Sequence, residues 1–180
     1  MIDAISESGA DCVKFQTFQA DGFCSNPDDT YEYVSQGQTV RESMLEMFRR
    51  VEIPYDDFAG LFEHARDQGL IALSTPTDEE AVDALDSLDA EAFKIGSDDI
   101  VYTPFLEYIA TKGKPMIISA GMANAADIDR AVTAIRRCGN DKIIILHCVS
   151  QYPTPEENLN LRKIASIRDH FGIQVGFSDH

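Results

Sequence analysis

The 180 residues are 44% hydrophobic and 26% charged, with 31 acidic side chains, 15 basic ones and a net charge of −16. That balance is globular rather than disordered, and it argues against nucleic acid as a partner, whose phosphates need clustered Lys and Arg. No stretch approaches the length of a membrane span and no basic-then-apolar leader opens the chain, so the expectation is a soluble cytoplasmic domain without a membrane partner.

The acidic excess reads as a solvated surface, inside which an anionic substrate would need a local basic site. The four cysteines, Cys12, Cys24, Cys138 and Cys148, show no CxxC pair or metal-finger spacing. They read as structural filler, with Cys12 and Cys148 as small buried hydrophobes in apolar runs.

Residues 1–9 look like the tail of a helix. From there one unit repeats: a short run rich in Val, Ile and Phe, a polar turn, then a helical period. The runs are 12–18, 70–76, 92–97, 115–121, 142–149 and 174–180, with helical stretches such as 78–88, 125–137 and 161–171 between them. Gly69, Gly113, Gly139 and Gly172 each stand just past a helical pattern, where a left-handed C-terminal residue belongs. The longest connection, Gln19 to about Gln38, is rich in Asp, Ser, Asn and Gly and reads as an active-site loop.

Short apolar strands alternating with helices predict a parallel sheet, either doubly wound or closed into a barrel. No GxGxxG follows the first strand. Polar residues instead mark the C-terminal end of nearly every strand: Lys14 and Gln16, Ser74 and Thr75, Lys94 to Ser97, Ser119, His147, and Ser178 to His180. A barrel converges such ends on one catalytic face. The fold class is therefore α/β, a (β/α)8 TIM barrel that is incomplete, with about six parallel strands where closure needs eight. The outermost strands, 12–18 and 174–180, are expected as open edges.

Lys14 and Lys94 interrupt apolar strands, and an inward lysine is costly unless it meets an anion. Each could instead point outward between strand and helix. With Ser97, Ser119 and Ser178 at comparable strand ends, the two lysines would make a phosphate cradle. His147 reads as a satisfied core histidine. His180, after Asp179, suits a metal or a polarised carbonyl.

Taken in order, the motifs VKFQTF (13–18), LSTP (73–76), FKIGS (93–97), ISAGM (118–122), LHC (146–148), YPTP (152–155) and GFSDH (176–180) resemble the N-acetylneuraminate (sialic acid) synthase family, including its legionaminate and pseudaminate relatives. The resemblance runs over essentially the whole chain. It implies a (β/α)8 barrel followed by a small antifreeze-like domain. Residues 1–180 would be a partial barrel holding the second to seventh strands, without the C-terminal domain. The family's catalytic glutamate, its second metal-binding histidine and a sugar-binding arginine would all lie outside this chain.

The same resemblance implies roles for residues that are present. Lys94, Ser97, Ser119 and Ser178, with Thr75 beside them, match binders of phosphoenolpyruvate. Lys14 and Gln16 match a strand-end pair that helps hold it. His180 matches one of two histidines that bind a divalent metal, Mn2+ or Mg2+, and Tyr152 a residue lining the sugar. Ser150 stands where some members carry asparagine, and Asp98-Asp99 replaces the Gly-Glu pair of many. Lys14, Lys94 and Asp99 would form the catalytic set, with Asp99 keeping a carboxylate on a shorter arm.

The implied reaction joins phosphoenolpyruvate to an N-acetylated amino-sugar aldehyde, N-acetylmannosamine or a relative, and releases phosphate; the full-length parent would be a homodimer. Three alternatives stand beside it. Lys94 could be the nucleophile of a Schiff-base aldolase, because desolvation depresses a lysine's pKa. The product could be another sugar acid, such as deoxy-octulosonate phosphate. The chain could also be an inactive barrel fragment that needs its missing strands.

Overall fold

The computed structural model of the chain describes residues 1–35 and 37–180. In chain order the elements are α1 (Ile2–Glu7), β1 (Cys12–Thr17), α2 (Ala20–Phe23), β2 (Thr30–Ser35), β3 (Gln38–Ser43), α3 (Met44–Val51), α4 (Tyr55–Asp67), β4 (Ile71–Pro76), α5 (Glu79–Ser87), β5 (Phe93–Ile95), α6 (Thr103–Ala110), β6 (Met116–Ser119), α7 (Ala125–Arg137), β7 (Ile143–Cys148), α8 (Arg162–Phe171) and β8 (Gln174–Ser178). Two short 3-10 turns, Asp99–Val101 and Glu156–Asn158, lie in the loops after β5 and β7.

Six strands form one parallel sheet in the order β1-β4-β5-β6-β7-β8, with each helix carrying the chain back for the next parallel strand. The sheet does not close: β1 and β8 remain its two edges, as expected from six strands.

Strand alternation and register assign every side chain to a face. Val13, Phe15 and Thr17 point one way on β1, and Cys12, Lys14 and Gln16 the other. Gln16 pairs with Thr75, Ser74 with Phe93, Lys94 with Ile117, Ser119 with Leu146, and Cys148 with Ser178. Because paired residues share a face, Lys14, Gln16, Thr75, Lys94, Ser119, Cys148 and Ser178 all project from the same, inner side.

The opposite side carries the core. Phe93, Ile95, Met116, Ile118 and Ile145 are fully buried beneath Phe58 and Phe62 of α4, Leu85 of α5, Leu106 and Ile109 of α6 and Ile135 of α7. Each such side chain contributes about 1.5–3 kcal/mol by leaving water, so this layer fixes the sheet on which the inner face is displayed. Helix ends are set locally. Asn124 opens α7 with a capping box completed by Asp127. Gly69, Gly113, Gly139 and Gly172 all adopt positive φ, as their positions after the helices predict.

Two expectations need correction. The segment read as a loop from Gln19 to about Gln38 is structured through α2 and the antiparallel hairpin β2–β3, apart from Gln36, which lies outside the described residues. Its alternation of Tyr31, Tyr33 and Val40 with polar neighbours is a strand signal that the polar composition masked. Of the two cysteines read as buried, Cys148 is buried but Cys12 is exposed. Cys12 lies on the inner face of an edge strand, where no second layer covers it. Among the described residues, no helix is long and apolar enough to cross a membrane.

Candidate active site

The inner face is graded along the strands. Its N-terminal half is apolar, with Ile71, Leu73, Ile117 and Ile144, and its C-terminal half is polar, with Gln16, Thr75, Ser119 and Ser178. Polar groups therefore gather where the loops leave the sheet.

The most tightly built part lies at the ends of β5, β6 and β7. Ser97 Oγ donates to Ser119 Oγ at 2.8 Å and accepts the backbone N–H of Gly121 at 3.1 Å. Ser119 is buried and Ser97 half-buried. A Cβ placed on Gly121 would meet Ser150 Oγ at 2.7 Å, Cys148 Sγ at 3.0 Å and Ser97 Oγ at 3.0 Å. Two hydroxyls and a thiol thus crowd a point where only glycine leaves room, with the Ser119 hydroxyl one hydrogen bond further on, a set suited to the oxygens of a phosphate or carboxylate.

Lys94 rises from β5 between two fully buried neighbours, and its Nζ donates to the Ile95 carbonyl at 2.8 Å. Burial first, and the charge of Lys14 second, lower its pKa from 10.5 to about 8, against the opposing pull of Cys148 and Asp98. Lys14 is exposed along the edge strand, and desolvation lowers its pKa as well. Two lysines that each disfavour their own charge, with one repelling the other, make a place suited to an anion.

Two carboxylates follow on the same loop. Asp98 is exposed and folds back so that its Oδ1 would collide with a Cβ on Gly96. Asp99 is half-buried in the first 3-10 turn, and burial together with the Asp98 charge raises its pKa to about 6. A carboxyl poised there can hold or release a proton near neutral pH.

The β7–β8 side is aromatic. Tyr152 stacks on His180 with centroids 4.0 Å apart, and the Tyr152 hydroxyl lies 3.1 Å from His180 Nε2. His180 Nδ1 donates to the Val149 carbonyl at 2.9 Å, which leaves the Nε2 lone pair to the tyrosine hydroxyl. Tyr152 is 75% exposed, so this pair forms an open wall. At His180 a divalent metal would meet the imidazole, with Cys148 Sγ 3.8 Å from Nε2. Among the described residues, no group of three or more His, Cys, Asp or Glu is placed to hold an ion, so this chain's side chains do not form a metal site by themselves.

The structure thus brings together Ser97, Ser119 and Ser150, and sets Lys94 under the influence of Lys14. Gln16, Thr75 and Ser178 share the face, with Gln16 and Ser178 on opposite edges of the open sheet. His147 is on the other face, buried, with Nε2 2.7 Å from the Leu159 carbonyl and its ring against Phe177, the satisfied core histidine expected. Sequence reasoning missed Cys148 and Gly121 as parts of this cluster. The strand period could have placed Cys148 beside Ser178's face, but no local signal tells a glycine needed for close approach from one in a turn.

Comparison with known proteins follows the same line. The NeuB family model matches residues 1–180. The spore coat polysaccharide biosynthesis protein SpsE of Bacillus subtilis is 40% identical over 181 residues, covering 100% of this chain and 48% of its own length. The N,N'-diacetyllegionaminic acid synthase of Campylobacter jejuni is 37% identical over 182 residues, again covering 100% of this chain and 54% of its own length. The crystal structure of N-acetylneuraminic acid (sialic acid) synthetase from Leptospira borgpetersenii in complex with citrate superposes with a TM-score of 0.87 at 28% identity, over 100% of this chain and 58% of that one. The chain spans about half the length of the curated relatives it matches.

Proposed function

This chain belongs to the NeuB family, and from that premise we propose that it serves the condensation of phosphoenolpyruvate with an N-acetylated amino-sugar aldehyde, N-acetylmannosamine or a relative, to a nonulosonic acid and phosphate. The observation that carries the reading is the Ser97–Ser119–Gly121 donor cluster beside Lys94 on one face of the sheet.

In this reading Lys94, Lys14 and the hydroxyl cluster hold the phosphate and carboxylate of phosphoenolpyruvate. Its methylene carbon attacks the aldehyde carbon, forming the C–C bond while the carbonyl oxygen takes up a proton. Water adds at the former enol carbon, and the tetrahedral intermediate expels phosphate by C–O cleavage. Asp99, with its pKa raised to about 6, is the group in this chain suited to that proton traffic. Tyr152 and His180 offer the sugar a stacking wall.

The test is phosphate release from phosphoenolpyruvate with N-acetylmannosamine and Mn2+, using phosphoenolpyruvate labelled with 18O in the bridging position. The label should leave in the phosphate, and S119A should weaken phosphoenolpyruvate binding by about tenfold. Label retained in the sugar acid, or no phosphate with any amino-sugar aldehyde from the full-length protein, refutes the condensation.

The lowered pKa of Lys94 favours one second reading, a Schiff-base aldolase. Borohydride with pyruvate would then add a permanent mass to the wild-type chain but not to K94R. The hydroxyl cluster weighs against it, since an aldolase without a phosphate leaves those donors idle.

A further inference from the structure

Between α7 and α8, on the helix side of β7, lies a cavity of about 400 Å3, enough for a small molecule. Its floor is buried, with Ala120, Ile128 and His147 each less than a tenth exposed, and Ile167 and Phe171 of α8 close one side. Gly121 forms part of its wall, but Ser97, Ser119 and Lys94 do not border it, since they face the other side of the sheet. The chain has 31 acidic residues, yet none lines this cavity, whose basic groups are Lys163 and the imidazoles of His147 and His170. Lys163, Ser166, Ile167 and His170 stand at i, i+3, i+4 and i+7 of α8 and so share the face turned to it. Lys163 makes no ion pair among the described residues, although Glu156 and Glu157 line the adjoining groove.

His147 sets the chemistry of the floor. It is 3% exposed, and its Nε2 donates to the Leu159 carbonyl at 2.7 Å. The bond that satisfies Nε2 leaves a lone pair on Nδ1 of the neutral ring. Nδ1 has no partner among the described residues and is not sealed from solvent, and the ring borders the cavity. A buried acceptor that opens on such a space calls for a donor within it.

We infer that this cavity is a binding site for a small carboxylic acid that carries an apolar body and a hydroxyl or amide donor. Lys163 meets the carboxylate at the exposed mouth. The apolar body leaves water against Ile128, Ile167 and Phe171, and the hydroxyl or amide N–H donates to His147 Nδ1. The site uses none of the residues assigned to phosphoenolpyruvate, so it stands or falls apart from the condensation reading.

The test is calorimetry on the full-length protein with three probes. Mandelate has all three features, phenylacetate lacks the hydroxyl, and phenylethanediol lacks the charge. Mandelate should bind with a Kd of about 1 mM or tighter, and each of the other two at least about fivefold more weakly. K163M should weaken mandelate to the level of the diol and leave the diol unmoved. S166W, a substitution at the exposed rim that removes nothing from the core, should fill the cavity and abolish binding of all three. His147 is tested through the ligand because replacing it would also free the Leu159 carbonyl. Saturating phosphoenolpyruvate should not displace mandelate. No mandelate binding up to about 10 mM, equal binding of mandelate and phenylacetate, binding indifferent to K163M and S166W, or displacement by phosphoenolpyruvate overturns the site.

Discussion

Lys94→Met should make the folded chain more stable at pH 7 while abolishing its response to anions. Lys94 has its pKa lowered from 10.5 to about 8, by burial first and by Lys14 second. A displacement of that size corresponds to roughly 3 kcal/mol against the charged form. The sign follows from which state binds the proton more readily. Between about 8 and 10.5 the unfolded chain keeps the lysine protonated while the folded chain releases it, so stability climbs with pH through that window. Below pH 8 the penalty is present in full. Methionine keeps the length and removes the charge, so K94M should gain roughly 1–3 kcal/mol at pH 7. The gain falls short of the full figure because the hydrogen bond to the Ile95 carbonyl is lost with the amine. Above about pH 10.5 the gain should vanish. Urea unfolding of both proteins at pH 7 and pH 10.5, with and without inorganic phosphate, measures all of this. Phosphate should raise the midpoint of wild type at pH 7 and leave K94M unmoved. A K94M midpoint at or below wild type at pH 7 would refute the claim that this lysine is held against its own charge.

Three further outcomes are expected. The Asp99 carboxyl is raised to about 6, so its charge destabilises the folded chain increasingly as pH climbs from about 4 to 6; D99N should melt higher than wild type at pH 8 and equal it near pH 3.5. Gly121→Ala forces a methyl group among Ser97, Cys148 and Ser150, and should cost about 1–3 kcal/mol of stability and at least about tenfold in phosphoenolpyruvate affinity by calorimetry; unchanged affinity means that the ligand does not sit there. Ser74→Ala, on the helix side of the sheet, strands the buried Thr17 hydroxyl 2.7 Å away and should cost about 1–3 kcal/mol without altering the heat of phosphoenolpyruvate binding.

How far the sequence could be read differs from element to element, for physical reasons. The six sheet strands were legible because parallel strands covered by helices on one face are short and apolar, and because glycine had to end the helices. Their polar ends were legible too, since a lysine in such a strand has few explanations. The hairpin β2–β3 was hidden because both its faces are largely solvated, so its alternation carries little hydrophobic contrast. Cys12 was misread for a related reason. Its neighbours are apolar, but the edge strand leaves its inner face open, and burial on an edge depends on what lies beside the sheet. Gly121 was visible as a letter and silent as a role, because close approach across the ends of three strands is a tertiary fact.

The spacing of the strands along the chain orders their arrival. Residues 77–92 separate β4 from β5, and residues 96–115 separate β5 from β6, but residues 18–70 lie between β1 and its partner β4. Closing that long excursion is entropically the most expensive join in the sheet, so β1 should dock after β4 to β8 have assembled. Docking brings Lys14 toward Lys94 and sets two positive charges against each other at the last step. An anion bound early to the serine cluster would cancel that repulsion, and the substrate would then act as a template for the half of its own site that arrives late. Pulse-labelled amide exchange during refolding should show the β1 amides protected last, and sooner when phosphate is present. Simultaneous protection of β1 and β4, indifferent to phosphate, would remove this order of events.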